Sequence, residues 1–358
     1  MDRLIEYYVT DEQINVFVLG TDIPENPIVI QIKYDYFSLG RLVWEFRSSV
    51  LSVKNVNELA AELYQVLVQP LVNRSAIRSG DRLYIAPHRC LHYIPFQALG
   101  LDPSYPLLST NPVAYILNGA TIPLFLNDRP SNKKSLVIKK SAKHDSLALK
   151  QSFQREQEIV SSLIGGEVLC DESASLPQIE AAIAGKSWIH FTCHGVFSPE
   201  RPEDSGLLIS GKDGRDKLLE INGIINLPLQ NVDMVVLAAC DSGLSEPHPG
   251  DESIGLVRAF TLAGVQSVVS TLWPVHSFST EVFVTSFYHH LLEGKTKIDS
   301  LQHAQLDVWR TELDKVPQPE KRTLMVGQKM SLNKNNSSSL PYSHPYYWAP
   351  FTLHGAWR

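Results

Sequence analysis

Cysteine and long apolar runs are scarce in this chain. Only four of its 358 residues are cysteines, at positions 90, 170, 193 and 240, and no paired spacing joins them. Sparse cysteines are typical of a reducing compartment, where thiols stay free. No apolar run approaches the roughly 18 residues of a transmembrane helix. The opening MDRLIEYYVT also lacks the basic-then-apolar order of a signal peptide. The sequence therefore predicts a cytoplasmic location and no membrane segment.

A surplus of positive charge is missing as well. The 32 lysines and arginines are outnumbered by 38 aspartates and glutamates, which leaves a net charge of −6. This balance argues against a nucleic-acid or anionic-membrane surface and favours proteins as partners. We also find no internal repeat of solenoid period. The chain is longer than a typical single domain, which predicts two subdomains that share one sheet or pack two sheets together.

Alternating and helical patterns divide the N-terminal part. Residues 4–9, 14–19 and 27–34 alternate apolar and polar side chains, which predicts a small antiparallel meander. Helical patterns follow at 36–50 and 56–71. Further along, strand and helix patterns take turns, and this alternation is typical of a mostly parallel sheet.

Three segments of the C-terminal part carry distinct signals. Residues 206–210 and 218–220 predict a hairpin around a Gly-containing turn. Residues 311–340 become charged and then very polar, which predicts a disordered insertion. The last apolar segment, 348–354, predicts a strand, and because Pro350 has no N–H to donate we expect that strand at a sheet edge.

Two short strand patterns end in side chains that could take part in catalysis. The segment NVDMVVLAACDSG, Asn231 to Gly243, reaches Cys240 after an apolar, β-branched run. The segment WIHFTCHG, Trp188 to Gly195, reaches His194 in the same way, 46 residues earlier. That separation accommodates a crossover that returns the second strand parallel to the first. Because α/β sheets place their chemistry at the carboxyl ends of strands, we expect the thiol and the imidazole to meet there.

These two strings resemble the caspase-like cysteine peptidases, and specifically the CHAT-domain proteins. A strand followed by His-Gly, and a second strand followed by Ala-Cys-x-x-Gly, carry the resemblance. Four further blocks occur in the family's order: RLYIAPHRCLHYIPFQAL (Arg82 to Leu99), GLVRAFTLAGVQSVVSTLWPV (Gly255 to Val275), FYHHLLEG (Phe287 to Gly294) and HPYYWAPFTLHG (His344 to Gly355). The resemblance extends from about residue 56 to the end of the chain.

The resemblance implies an α/β fold with a caspase-like, mostly parallel sheet flanked by helices. Residues 1–35 would form an N-terminal β-meander extension, 36–130 a second, pseudo-protease-like α/β subdomain, and 131–358 the catalytic part. The resemblance also implies a cysteine endopeptidase that cleaves a protein substrate, is regulated by a protein partner and acts in bacterial signalling or defence. No metal or cofactor is called for.

The mechanism that we expect divides the roles between two side chains and two backbone groups. His194 assists the Cys240 thiolate and protonates the leaving amine, and water then hydrolyses the thioester. The backbone N–H groups of Gly195 and Cys240 would hold the oxyanion. Cys193 is a rival thiol, but strand alternation turns it to the face opposite His194.

The substrate pocket departs from the family pattern. Separases carry Trp-x-Val-x-Asp after the nucleophile, and that aspartate lines the pocket for a basic residue. Here the string runs from Trp273 to Ser277, with serine at the aspartate position. A preference for Arg or Lys would therefore require Asp241, Asp251 or Glu252 to supply the charge.

Other functions stay open at this point. One alternative is a catalytically weak CHAT-fold scaffold that binds a protein partner, and another is a peptidase that needs a partner to order residues 242–251. A zinc site at the His/Cys clusters 88–92 and 190–194 is disfavoured, because alternation scatters the second set over both faces of a strand. A serine hydrolase is disfavoured too, because Ser253 lacks the first glycine of a nucleophile elbow.

Overall fold

The computed structural model describes residues 1–23, 26–121, 134–196, 201, 204–237, 252–316 (backbone only at 252–254) and 340–358. Its strands are β1 Asp2–Val9, β2 Gln13–Gly20, β3 Ile28–Lys33, β4 Arg82–Ala86, β5 Val113–Tyr115, β6 Ser135–Lys140, β7 Glu167–Cys170, β8 Trp188–Cys193, β9 Gly195–Val196, β10 Gly206–Ser210, β11 Asp216–Glu220, β12 Met234–Leu237, β13 Ser267–Thr271 and β14 Phe351–Gly355. Its α-helices are α1 Tyr36–Leu51, α2 Asn57–Leu67, α3 Gln69–Asn73, α4 Leu147–Ile164, α5 Leu176–Ile183, α6 Ile221–Ile225, α7 Glu252–Leu262, α8 Ser277–Leu292, α9 Lys297–Trp309 and α10 Pro345–Trp348. Among these helices, none is both long enough and apolar enough to cross a membrane.

Eleven of the described strands form one sheet, in the order β3-β2-β1-β4-β5-β14-β13-β12-β8-β6-β7. From β7 to β13 every neighbouring pair is parallel, and so is every pair from β1 to β14. The two parallel halves join antiparallel where β13 meets β14. The expected α/β architecture, a mostly parallel sheet flanked by helices, is confirmed. Because of the antiparallel joint, the carboxyl ends of the two halves lie on opposite edges of the sheet.

The N-terminal meander is confirmed and is continuous with the main sheet. Strands β1, β2 and β3 pair antiparallel, and β1 also pairs in parallel with β4. Arg3 on β1 is buried, and its guanidinium donates to the carboxylates of Asp81 and Asp22. A buried arginine needs such partners to offset its lost hydration. Strands β3, β2 and β1 thus extend the main sheet outward from β4.

The prediction that the last strand lies at a sheet edge was wrong. β14 lies between β13 and β5, inside the sheet. Its first residue is Phe351, so Pro350 precedes the paired segment and its missing N–H removes no ladder bond. The Pro350 carbonyl instead accepts a hydrogen bond of 2.9 Å from the Leu272 N–H. Trp348, which we expected in the strand, ends the short helix α10.

The first residues of the expected disordered insertion are ordered. Thr311 donates its hydroxyl to the Asp307 carbonyl at 2.9 Å, and residues Leu313–Lys315 form a 3-10 turn. Val316 is 2% exposed and packs into the core, which fixes this end of the segment. The rest of the insertion, 317–339, lies outside the described residues.

Side chains of the half of the sheet from β7 to β13 alternate between two apolar layers. Trp188 on β8 faces the layer that contains Val160 of α4 and Phe287 of α8. Ile189 and Phe191 face the other layer, built from side chains of α5 and α7. Strand alternation requires this division, because successive side chains point to opposite faces. The strand is buried on both faces, as its uninterrupted apolar run predicted.

A fully buried polar network interrupts the layer beneath α4. Glu156 accepts a hydrogen bond of 2.8 Å from the Thr192 hydroxyl, and its Oε1 lies 2.9 Å from His190 Nε2. The other ring nitrogen, Nδ1, lies 2.9 Å from the Tyr288 hydroxyl. Burial and, to a smaller extent, the nearby Glu156 raise the pKa of Tyr288 well above its ordinary value. The network satisfies groups that would otherwise be buried without partners.

The β10–β11 hairpin was predicted and is confirmed. An ion pair joins it to the carboxyl end of β6. Lys140 at the end of β6 places its Nζ 2.8 Å from Asp216 Oδ1, and the Lys143 N–H donates to Asp216 Oδ2 at 3.0 Å. Burial raises the pKa of Asp216, but Lys140 and Lys143 lower it, and the lowering is larger. The carboxylate form is therefore favoured by the folded state.

Removal of the Tyr288 hydroxyl should destabilise the fold. Tyr288→Phe leaves the buried His190 Nδ1 without its partner, which costs about 1–3 kcal/mol. The midpoint of urea unfolding should fall accordingly. Tyr105→Phe is the matched control, because Tyr105 is 71% exposed and its change should stay within about 0.5 kcal/mol. Equal midpoints for the two variants would contradict a stabilising role for the network.

The Asp216 ion pair should make stability sensitive to acid. Because the folded-state pKa lies below the unfolded value of about 3.9, its contribution is complete above that pH and is lost as pH falls through the folded pKa. Urea midpoints of the wild type should therefore fall more steeply below about pH 4 than those of Asp216→Asn. Asp213→Asn, in the exposed turn of the same hairpin, should keep the wild-type slope. An unchanged slope in Asp216→Asn would refute this linkage.

Candidate active site

Four neighbouring parallel strands end at one edge of the sheet. In the order β6, β8, β12, β13, each strand pairs with the next in parallel. His194 follows β8 directly, and the Trp273 to Ser277 string begins two residues after the end of β13. His194 and the 273–277 string thus lie at the carboxyl ends of parallel strands, where we expected the chemistry of the site.

His194 is mostly buried and bonded to a carboxylate. Its side chain is 13% exposed, and its Nε2 lies 2.9 Å from each carboxylate oxygen of Asp145. The ring also packs against Phe153 of α4, with 5.2 Å between ring centroids. A carboxylate accepts hydrogen bonds and donates none, so this contact holds the proton on Nε2 and assigns the acceptor role in a neutral ring to Nδ1.

Asp145 is held in place by a tight turn before α4. Its N–H donates to the Ala142 carbonyl at 3.2 Å, and its Oδ2 accepts from the Ala142 N–H at 2.7 Å. The next residue, Ser146, caps α4 by accepting from the Leu149 N–H. The bonds to Ala142 therefore fix the orientation of the carboxylate that His194 contacts. Such an arrangement orients an imidazole as a general base.

Our reading of the sequence missed Asp145. The polar residues that follow the strand next to β8 were the signal to look for, because that strand ends at the same edge. However, β6 was not among the predicted elements, and 49 residues separate Asp145 from His194. An aspartate before a helix also has an ordinary explanation as a capping residue.

The backbone of Gly195 has a defined orientation. The Leu208 N–H donates to the His194 carbonyl at 2.8 Å, and Leu207 stands opposite Gly195 in the β9–β10 ladder. In an antiparallel ladder, the residue beside a hydrogen-bonded pair turns its N–H away from the partner strand. The Gly195 N–H therefore points away from β10.

Several expected site residues lie outside the described part of the chain. Cys240 and Asp241 are among them, and of Glu252 only the backbone, at the start of α7, is described. The last described residue of β12 is Leu237, which stands opposite Phe191 of β8.

The two expected pocket residues occupy different surroundings. Trp273 is 2% exposed, and its indole N–H donates to the Tyr346 carbonyl at 3.0 Å. Ser277 is half-buried and begins α8. Trp273 thus packs its ring into the core, while Ser277 stays at the edge where the loop turns into the helix.

The histidines and cysteines that suggested a zinc site are dispersed. In the described ranges, no three His, Cys, Asp or Glu side chains are grouped in a way that could hold a metal. His190 is occupied by Glu156 and Tyr288, whereas Cys193 faces the opposite apolar layer. Burial and, to a smaller extent, the positive charge of Arg258 lower the pKa of His92 to about 4. That ring is neutral at physiological pH.

Comparison with known structures supports the fold. The separase of Saccharomyces cerevisiae, in its complex with securin, matches with a TM-score of 0.58 at 7% identity, over 99% of this chain and 30% of that one. The Arg-specific cysteine proteinase gingipain R matches with a TM-score of 0.45 at 11% identity, over 88% of this chain and 73% of that one. At such identities, the separase match speaks for the fold alone.

Sequence comparison identifies relatives and a family. Tetratricopeptide repeat protein 28 of Homo sapiens is 25% identical over 238 residues, and its Mus musculus counterpart 26%. Each match covers 57% of this chain, which spans only 8% of the length of these relatives. The profile of the CHAT domain matches residues 57–356. Since this match takes in most of the sequence, the chain belongs to the CHAT domain family.

Proposed function

We propose that the chain is a cysteine peptidase in which Cys240 is the nucleophile, His194 the general base and acid, and Asp145 the residue that orients His194. The observation that carries the proposal is the carboxylate–imidazole pair at the carboxyl end of β8. In a caspase-like fold, that edge is where a thiol would be used. The coarse conclusion, a CHAT domain with a caspase-like fold, rests on the family match and the architecture.

The register of the sheet supports the choice of Cys240. Strands β12 and β8 pair at an offset of 46 residues, with Leu237 opposite Phe191. The same offset separates Cys240 from His194. A chain that leaves β12 along the strand direction would therefore bring its thiol beside the histidine. Cys193, the rival thiol, is 1% exposed in the α5/α7 layer and is the poorer candidate.

The proposed reaction is acyl transfer through a thioester. Nδ1 of His194 accepts the thiol proton, and the thiolate attacks the scissile carbonyl carbon. The imidazolium then protonates the amine as the C–N bond breaks. Water attacks the thioester and gives a proton to His194, which returns it to the Cys240 sulfur as the C–S bond breaks and the acid is released. Asp145 stabilises the imidazolium in both halves. The N–H groups of Gly195 and Cys240 would hold the oxyanion, each worth about 3 kcal/mol.

We also propose a protein substrate, control by a protein partner and a cytoplasmic location. The structure that matches this fold with a TM-score of 0.58 is a separase bound to securin, and the curated relatives are far longer than this chain. The described cysteines form no disulfide with one another, as in a reducing compartment. Since those relatives are human and mouse proteins, the proposal does not depend on a bacterial role in signalling or defence.

A covalent probe tests the nucleophile. Wild-type protein should be labelled by a peptidyl acyloxymethyl ketone, whereas Cys240→Ala should not, because the thiolate is the reacting group. Cys170→Ala is the control, since Cys170 is a half-buried thiol on the edge strand β7 and its removal should leave labelling intact. Mass spectrometry of the labelled peptide locates the adduct. If the probe marks another cysteine, or none with or without cell extract, the scaffold alternative replaces the peptidase. Labelling that appears only after partner addition would indicate activation by that partner.

The orienting role of Asp145 has its own signature. Asp145→Asn places an amide opposite Nε2, which favours the wrong ring tautomer and should lower the rate of peptide cleavage by roughly 100-fold or more. The pH profile of kcat/KM should change with it, because the carboxylate no longer stabilises the imidazolium. Asp213→Asn removes a carboxylate in an exposed turn and should match the wild type. A cleavage rate and pH profile like those of the wild type in Asp145→Asn would exclude the role.

A further inference from the structure

The loop that follows β13 flanks the candidate active site. We call residues 272–277 the pocket loop, because they include Trp273 and Ser277. β13 is separated from β8 by β12 alone, so the loop leaves the sheet at the edge where His194 lies. A substrate chain that reaches His194 across this edge would pass the pocket loop. The position of the loop therefore affects which side chain the site accepts.

A buried arginine from the other half of the molecule holds the start of this loop. Arg47 lies on the buried face of α1 and is 5% exposed. One terminal nitrogen donates to the Leu272 carbonyl at 3.1 Å, and the other makes a longer contact of 3.5 Å with the Tyr93 carbonyl. The two bonded carbonyls belong to separate segments of the chain, and Leu272 is 225 residues from Arg47.

Backbone and indole groups tie the same loop from its other side. The Leu272 N–H donates to the Pro350 carbonyl at 2.9 Å, so both polar groups of the Leu272 backbone are engaged. Trp273 adds the bond from its indole N–H to the Tyr346 carbonyl. Hydrogen bonds from a charged donor are roughly twice as strong as neutral ones. Of these ties, Arg47 supplies the charged one.

The chemistry of Arg47 distinguishes positioning from simple core packing. The other buried residues of α1 are apolar: Leu39, Leu42, Val43, Phe46 and Val50. Buried charges often stabilise a fold no better than apolar groups of similar volume. A guanidinium, however, is a planar donor that can bond two carbonyls in fixed directions. The structure at Arg47 is suited to holding backbone segments in register.

We propose that Arg47 is a positioning residue that fixes the pocket loop and thereby determines how the site selects its substrate. The inference rests on the proposed peptidase function for its consequence in catalysis. Its structural part, the tie between α1 and Leu272, stands apart from that function. Through this tie, the half of the sheet that carries neither His194 nor Cys240 contributes to substrate selection.

Hydrogen exchange tests the structural part directly. In Arg47→Met, the backbone N–H groups of residues 272, 273 and 275–277 should exchange at least about tenfold faster, because a local opening no longer has to break the charged bond. Arg47→Lys keeps the charge without the two-carbonyl fork and should fall between Arg47→Met and the wild type. Arg41→Met and Arg41→Lys alter an exposed residue of the same helix and should leave this segment unchanged. Wild-type exchange in both Arg47 variants would overturn the proposal.

Cleavage of a peptide library tests the consequence. Arg47→Met should lower kcat/KM for the preferred peptides by about 100-fold, since small displacements far from the reacting atoms have effects of that size. Alkylation of Cys240 by iodoacetamide should stay within about twofold of the wild type, because that reagent does not use the pocket. An unchanged library profile, or a parallel loss of alkylation and cleavage, would overturn the selective role.

The controls separate this inference from the peptidase proposal. If wild-type Cys240 fails to react and no peptide is cleaved, the peptidase proposal and the substrate-selecting role fall together. The exchange data would still decide whether Arg47 holds the loop. If the wild type cleaves peptides and the Arg47 variants keep both its profile and its exchange rates, only the Arg47 inference fails.

Discussion

The parallel pairing of β6, β8, β12 and β13 is the constraint on which the candidate site depends. Parallel neighbours end at a common edge, so residues far apart in the chain arrive together there. The bond between Asp145 and His194 is the direct product of this pairing, because their strands are adjacent. Its geometry depends equally on α4, whose packing on β8 places the Asp145 turn over the strand end. Hydrogen bonds between Glu156 of α4 and the side chains of His190 and Thr192 also hold this helix against β8.

The antiparallel joint between β13 and β14 gives the two halves of the sheet different tasks. One half directs its carboxyl ends toward His194, and the other directs them to the opposite edge. The second half still reaches the candidate site through helix α1 and the segment before β14. Arg47 and Pro350 both bond Leu272, where the pocket loop begins. A half that carries none of the proposed catalytic residues can thus influence the site by fixing backbone positions.

Local patterns predicted the elements well where one physical signal dominated. Strand β8, Trp188–Cys193, lies within the segment Trp188 to Gly195 where a strand was predicted, because a short apolar run before His-Gly is typical of a buried strand. The meander was predicted from alternation alone. The last strand was misplaced because Pro350 was read as part of it, although it precedes the first paired residue. Val316 was assigned to disorder from the composition around it, whereas its own side chain packs into the core.

Local sequence was enough to predict the strand and helix periodicity and the family resemblance, and to propose His194 and Cys240. These depend on residues that are close in the chain or form short motifs. The position of β14 inside the sheet, the bond between Asp145 and His194 and the bond from Arg47 to Leu272 became visible in the folded chain alone. Those contacts join residues 49 and 225 positions apart in the last two cases. Their physical cause is the order in which strands pair and helices pack, and no local pattern encodes that order.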